Sequence, residues 1–241
     1  NLTDLCCSFN QLSNIDLVAN TALTKLWCDN NPLNSLDVTA NTALTYLWCY
    51  SSTLNSIDVS ANLQLTELNL GSNQLTSLDV TANSNLIYLF VADNQINSLD
   101  LSLNSTLTYF WCNNNQLSSL NIQNGNNNNL ISFDATNNPA LTCIQVDVVA
   151  DMNTTWSAAK DATATYSTVC PLVCNVSIPD ANFKAALVAN DFIDTNFDDE
   201  IQCAEAAAFV GQINVSGLGI ADFTGIEAFT SLLDLRCQNN S

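Results

Sequence analysis

The stretch LTKLWCDNNPLNSLDVTANTA at residues 23–43 is followed at once by LTYLWCYSSTLNSIDVSANLQ and then by LTELNLGSNQLTSLDVTANSN. A period of 21 residues constrains the fold more than any other feature of the chain. Copies start at Leu2, Leu23, Leu44, Leu65, Leu86 and Leu107, and the next start, Leu130, follows an insertion in the Asn-rich run NGNNNN. Leu26, Cys28, Leu33, Leu36 and Val38 are apolar at offsets that recur in neighbouring copies. One such coil cannot bury these side chains alone. Stacked coils bury each offset as a column, so the chain is read as a solenoid.

The alternating unit LTKLWC reads as the strand, with Leu23, Leu26 and Cys28 inward and Lys25 and Trp27 outward. Successive strands then form one parallel sheet. A coil this short leaves little room for a helix on its return side, where turns and extended segments are expected. Asp16, Asp37, Asp58, Asp79 and Asp100 form a ladder, continued by Asn121. Each is read as opening a turn and accepting a hydrogen bond from the backbone two residues on, rather than as part of a metal rail. Asn20, Asn41, Asn62, Asn83 and Asn104 are read in the same way, as holders of the return loops.

A period of roughly 20–29 residues built on L-x-x-L-x-L/C-x-x-N-x-L is the leucine-rich-repeat signature. The expected fold is a leucine-rich-repeat solenoid, a right-handed β/α-type superhelix of mostly parallel sheet with little helix. A short helical cap around an EF-hand-like loop is expected beside it.

Composition excludes several functions. The formal charge is −19 with only four Lys and Arg, whereas a phosphate backbone needs cations. Nucleic acid and anionic lipid are therefore not expected partners. No apolar run is long enough to span a bilayer, so membrane insertion is not expected. There is no histidine, no Gly-rich phosphate loop and no nucleophile elbow, so no enzyme is expected. The first residue is Asn1, and a mature chain or a piece of one is expected.

The ten cysteines sort into two groups. Cys7, Cys28, Cys49 and Cys112 share one repeat offset with Leu70 and Val91, and Cys237 sits at the matching place in LLDLRCQNN. Cysteine interchanging with Leu and Val behaves as a small buried hydrophobe, so these are read as free core thiols. Cys6 falls at an outward strand position. Cys143, Cys170, Cys174 and Cys203 lie outside the ladder. Cys143–Cys170 is the expected disulfide and Cys174–Cys203 a further candidate, a pattern suited to an oxidising, extracellular setting.

The outward strand positions carry Lys25 and Trp27, Tyr46 and Trp48, Tyr88 and Phe90, and Tyr109 and Trp111, interrupted by Glu67 and Asn69. Strands about 4.8 Å apart let adjacent rings stack. Aromatic surface of this extent marks a binding face. Three readings stay open: a protein or self contact, a glycan, or rings that only cover each other and stiffen the sheet.

One motif carries definite chemistry. DTNFDDEIQCAE matches the calcium loop D-x-[DN]-x-[DN]-G-x5-E at its ligand positions. Asp194, Asn196 and Asp198 fill positions 1, 3 and 5. Glu200 offers its carbonyl at 7, Gln202 stands at 9 through water, and Glu205 is the bidentate carboxylate at 12. Asp199 replaces the usual glycine, and Asp tolerates a left-handed conformation better than most residues. The segments before and after read as entering and exiting helices, with Phe183, Leu187 and Val188 on one face. A single loop implies a structural Ca2+, tying down the cap. The alternative is an acidic loop that caps a helix and binds nothing.

NPALTCIQVDVVADMNTTWSAAKDATATYSTVC at 138–170 resembles the C-terminal cap of secreted leucine-rich-repeat proteins of Bacteroidota. SIPDANFKAALVANDFIDTNFDDEIQCAEAAAF at 177–209 resembles the N-terminal cap of the same proteins, and INVSGLGIADFTGIEAFTSLLDLRCQNN begins a fresh array in the internalin-like style. The resemblance covers nearly the whole chain and implies a secreted or cell-surface binding and adhesion protein. The order of parts departs from the family, running repeats, C-cap, N-cap, repeats. The expected division is an array at 1–142, its cap at 143–170, a linker at 171–176, a helical cap at 177–212 and the first repeats of a second block at 213–241. Ser241 falls at the offset of Gln74 and Asn1 at that of Asn85. A piece of a tandem array, end-to-end stacking of copies through open terminal coils, or an arbitrary boundary each fits. Two function classes follow: a binding or adhesion module using the aromatic concave face, and a structural protomer of an extracellular filament.

Overall fold

Three-residue strands recur at the sequence period. In chain order the first part carries β1 (Asp4–Cys6), β2 (Lys25–Trp27), β3 (Tyr46–Trp48), β4 (Glu67–Asn69), β5 (Tyr88–Phe90), β6 (Ser98–Asp100), β7 (Tyr109–Trp111), β8 (Ser119–Asn121), β9 (Ser132–Asp134), β10 (Cys143–Gln145) and β11 (Thr165–Ser167). One helix, α1 (Val149–Thr155), lies between β10 and β11. This computed structural model describes residues 2–170, 176–195 and 199–240. The chain divides into two units, Asn1–Cys170 and Pro171–Ser241.

In the first unit a seven-stranded parallel sheet runs β1-β2-β3-β4-β5-β7-β9. Its register places like offsets side by side: Leu26 pairs with Leu47, Leu47 with Leu68, and Leu68 with Leu89. These middle residues are fully buried and continue into Phe110 and Phe133. Burying a leucine contributes about 1.5–3 kcal/mol relative to leaving it exposed, so each coil is stabilised by neighbours on both sides. The fold is a leucine-rich-repeat solenoid with little helix, as the period predicts.

Each strand leaves the sheet through the same backbone device. Phe9, Asn30, Ser51, Ser72, Asp93, Asn114 and Asn137 have φ between 52° and 58°, one per coil. Their amides bond the next coil, as in Ser51 N to Gly71 O at 2.9 Å and Ser72 N to Ala92 O at 2.8 Å. Those bonds hold residues with side chains in the left-handed region that glycine otherwise favours.

Two asparagine ladders tie coil to coil. In the first, Asn94 Nδ2 donates to Leu70 O at 3.0 Å and Val91 O at 3.1 Å, and its Oδ1 accepts from Leu75 N at 3.0 Å. Asn31, Asn73 and Asn115 repeat the pattern. In the second, Asn83 Nδ2 donates to Val59 O and Asn62 O, both at 3.0 Å. Asn41, Asn62 and Asn104 do likewise, in keeping with loop-holding roles. The aspartate ladder also performs its turn role: Asp37, Asp58 and Asp79 accept from the amides of Thr39, Ser60 and Thr81 at 2.9 Å. Hydrogen bonds from the side chains of those same partners, then from their amides, hold the three carboxyls below the usual carboxylate range.

The return side differs from expectation at one end. There β6, β8, β10 and β11 form a second parallel sheet, ordered β11-β10-β8-β6. The cap supplies β10 and β11, and Cys143 is joined to Cys170 with Cα atoms 5.7 Å apart.

In the second unit α2 (Ala181–Val188) and α3 (Cys203–Ala208) precede two paired strands, β12 (Gln212–Asn214) and β13 (Asp234–Arg236). Asp180 starts α2: its Oδ1 accepts from Asn182 N and Phe183 N, and its Oδ2 from Ala221 N. Phe183 and Leu187 are buried with Ile193, Ile201, Ile213 and Phe229, whereas Val188 is half-buried. Gly225 has φ 102°, and a Cβ there would meet Ser177 O at 2.9 Å. Cys237 corrects the reading of a core thiol: it is exposed, because no coil among the described residues packs over β13.

Candidate functional site

The outer face of the seven-stranded sheet is built from the two strand positions that flank each buried middle residue. Register aligns Lys25, Tyr46, Glu67, Tyr88 and Tyr109 in one column. It aligns Trp27, Trp48, Asn69, Phe90 and Trp111 in the other. The structure thus brings together all eight predicted surface residues.

The rings form two groups. In one, Trp27 and Tyr46 lie 5.4 Å apart, and Tyr46 stacks on Trp48 at 5.4 Å. Lys25 Nζ sits 6.0 Å from the Trp27 ring centre, a cation–π contact within the chain itself. In the other, Tyr88 stacks on Tyr109 at 4.5 Å and 12°, and Phe90 meets Trp111 at 4.7 Å. Between them stands β4, whose Glu67 and Asn69 break both columns. Mutual packing leaves most of these rings half-buried, while Trp111 is 43% exposed and its Nε1 donates to Ser132 Oγ at 2.8 Å. Burial, together with the Glu67 carboxylate beside the hydroxyl, pushes the Tyr46 pKa up to about 12.

A cleft of about 350 Å³ opens over this break, with Trp48, Phe90 and Trp111 as walls and Asn69 and Gly71 beneath. Tyr50, which the alternation did not select, joins its rim and lies 6.5 Å from Trp48. It follows the strand rather than belonging to it, so only the turn at Ser51 turns it toward the rings. The Trp48 Nε1–H is buried without a hydrogen-bond partner among the described residues.

The sulfur column is sorted by depth. Cys28, Cys49 and Cys112 are buried free thiols and Cys7 is half-buried, whereas Cys6, outside that column and paired with Trp27, is exposed. A hydrogen bond with Cys49, then burial, raises the Cys28 thiol far above its ordinary value, and burial does the same at Cys112.

In the acidic loop, Asp194 is buried at 2% exposure and its Oδ2 accepts from Asp199 N at 3.2 Å. Asp199 has φ 61°, the left-handed value the sixth loop position requires. Glu205 Oε1 accepts from Thr195 N at 2.8 Å and Oε2 from Gln202 N at 3.0 Å. Gln202 and Glu205 make a capping box on α3. The Glu200 carboxylate pairs with Lys184. Asn196 and Asp198 lie outside the described residues. Among the described residues no group of three or more Asp, Glu, Cys or His side chains is gathered as a metal site. Cys203 is disulfide-bonded, and Cys174 lies outside the described residues.

No family model and no curated protein matches the chain. Solved structures do. The functional domain of InlJ from Listeria monocytogenes is 34% identical over 60% of this chain, with a TM-score of 0.53. This chain spans 34% of that domain's length. Internalin C2 from the same species is 23% identical over 69% of this chain and 72% of its own, with a TM-score of 0.52, a likeness of fold. The chain is thus similar to internalin-like leucine-rich-repeat proteins, a class that generally serves in binding rather than catalysis. The InlJ domain includes a cysteine ladder, and Cys7, Cys28 and Cys49 stand in one column here. No helix among the described residues is long and apolar enough to cross a membrane.

Proposed function

We propose that this chain is a non-enzymatic binding or adhesion module of a secreted or cell-surface protein, and that its outer sheet face holds a protein partner. The observation that carries the reading is the pair of ring groups, seven aromatic side chains facing outward from β2 and β3 and from β5 and β7. Solenoids use their concave sheet side as an extended binding surface. Rings already packed on one another lose little freedom when a partner covers them, which makes them suitable anchors. Losing such an anchor costs about 2 kcal/mol or more, roughly thirtyfold in affinity.

The test compares native protein with a Trp27→Ala/Tyr109→Ala variant on arrays of extracellular protein domains and of glycans. Protein binding that is lost in the variant supports the reading. Binding that survives, or binding confined to glycans, refutes it.

A structural Ca2+ in the 194–205 loop belongs to the same proposal. Hard oxygen donors at Asp194 and Glu205 and the left-handed Asp199 support it. Titration with calcium should raise the melting temperature of the second unit, and Asp194→Asn should abolish the rise. An unchanged melting temperature would leave a helix-capping loop.

A further inference from the structure

We infer that the break at β4 is a receptor for an arginine side chain of the protein partner, an inference that rests on the outer face being a binding surface. Three observations converge on one place. Glu67 is half-buried between Tyr46 and Tyr88, the residues paired with it on either side. It has no ion pair among the described residues. The cleft over Asn69 lies two residues further along the same strand, walled by Trp48 on one side and Phe90 on the other.

The dimensions suit a flat cation. β3 and β5 are two strand spacings apart, about 9.6 Å. With only Asn69 between them, Trp48 and Phe90 leave a slot for one extended side chain, and Tyr46 and Tyr88 flank Glu67 at the same spacing, with room for a planar group. Two residues along the strand cover about 6.6 Å, a distance an extended arginine side chain spans. Its apolar stem would lie in the cleft and its guanidinium would reach the Glu67 carboxylate. Guanidinium is planar, weakly hydrated, stacks on aromatic faces and bonds a carboxylate through two parallel N–H donors. An ammonium has the charge without the plane.

The molecule contains its own precedent. At β2 the column position equivalent to Glu67 is Lys25, whose ammonium lies over Trp27. The face therefore already holds a cation on its rings, and at β4 it presents the opposite charge. With 23 acidic residues against four basic ones, the chain also attracts cationic partners from a distance.

The test titrates the purified chain at low salt with the peptide acetyl-Gly-Arg-Gly-amide, and in parallel with its citrulline counterpart, which has the same shape and no charge. Indole N–H resonances report the location, because Trp48 lines the cleft and Trp156 lies in the cap. The arginine peptide should shift Trp48 saturably and leave Trp156 unmoved. Citrulline should bind about tenfold more weakly. Glu67→Gln should weaken arginine binding by about tenfold and erase its advantage over citrulline. Equal binding of the two peptides, arginine binding unchanged in Glu67→Gln, or no shift at Trp48 would each overturn the inference. If the peptide fails while Trp27→Ala/Tyr109→Ala still abolishes protein binding, only the arginine assignment falls. If that variant binds as the native chain does, the reading of the whole face falls.

Discussion

Asn94 and Asn83 are buried asparagines in adjacent ladders, and their replacement by alanine should have very different costs. Asn94 is saturated. Removing it deprives the Leu75 N–H of its acceptor, and Leu75 is fully buried. An orphaned buried donor costs about 1–3 kcal/mol. The bonds to Leu70 O and Val91 O are also lost, although those carbonyls keep Asn73 and Asn115 as donors. At about 0.5–1 kcal/mol each, these bring the total to about 2–5 kcal/mol. Asn83 is different. Its acceptors, Val59 O and Asn62 O, retain the amides of Asn62 and Leu65. Its own Oδ1 is buried without a partner among the described residues, so alanine removes a standing penalty. The lost bonds and the recovered penalty nearly cancel, leaving about 0–1 kcal/mol. Both substitutions delete the same volume, so the cavity cost drops out of the comparison. A difference of about 3 kcal/mol separates the melting temperatures of the two variants by about 6–12 °C in a unit of this size. Differential scanning calorimetry reads this directly. Equal melting temperatures, or a larger loss in Asn83→Ala, would refute the reasoning from hydrogen-bond saturation.

Three further outcomes are expected. Tyr46, with its pKa raised to about 12, stabilises the fold fully below its unfolded value near 10 and loses that contribution as pH rises through about 12; absorbance titration at alkaline pH should show a late tyrosine that moves earlier in Glu67→Gln. Thiol labelling under native conditions should modify Cys6 and Cys237 and spare Cys28, Cys49 and Cys112 until denaturant is added, as peptide mass shifts would show. Reducing Cys143–Cys170, which closes a separation of 27 residues, should cost the first unit about 3.5 kcal/mol, read as a lower urea midpoint; an unchanged midpoint would mean that β10–β11 pairing alone secures the cap.

The long sheet was legible because period and alternation coincide: each inward residue has a like residue 21 positions away. The outer ladders followed from the same alternation. The return-side sheet was not legible. Ser98–Asp100 reads SLD, and so does 77–79, yet only the former is a strand. Strand formation there depends on the capping segment, which brings β10 and β11 alongside β8 and so orders β6 behind it. Tyr50 escaped the reading because its direction is set by the turn at Ser51, not by strand alternation. Cys237 shares the offset of the buried thiols, but burial comes from the neighbouring coil rather than from the residue itself. In the acidic loop, spacing indicated Asp194 and Glu205, whereas their backbone donors became visible only in three dimensions.

The backward-reaching asparagines also give the first unit a mechanical grain. Each grips carbonyls of the coil before it, 21 or 24 residues upstream, and none of the ladder residues described reaches the same way downstream. Because every pair of neighbouring coils has its own set of bonds, peeling the stack from β1 would break them one coil at a time, like a seam. Every coil released would add 21 residues of slack, about 70 Å of extended chain. At the far end the Cys143–Cys170 bond is a covalent stop. Pulled from β1, the first unit would yield in short, even increments and keep β10 and β11 joined through the cap.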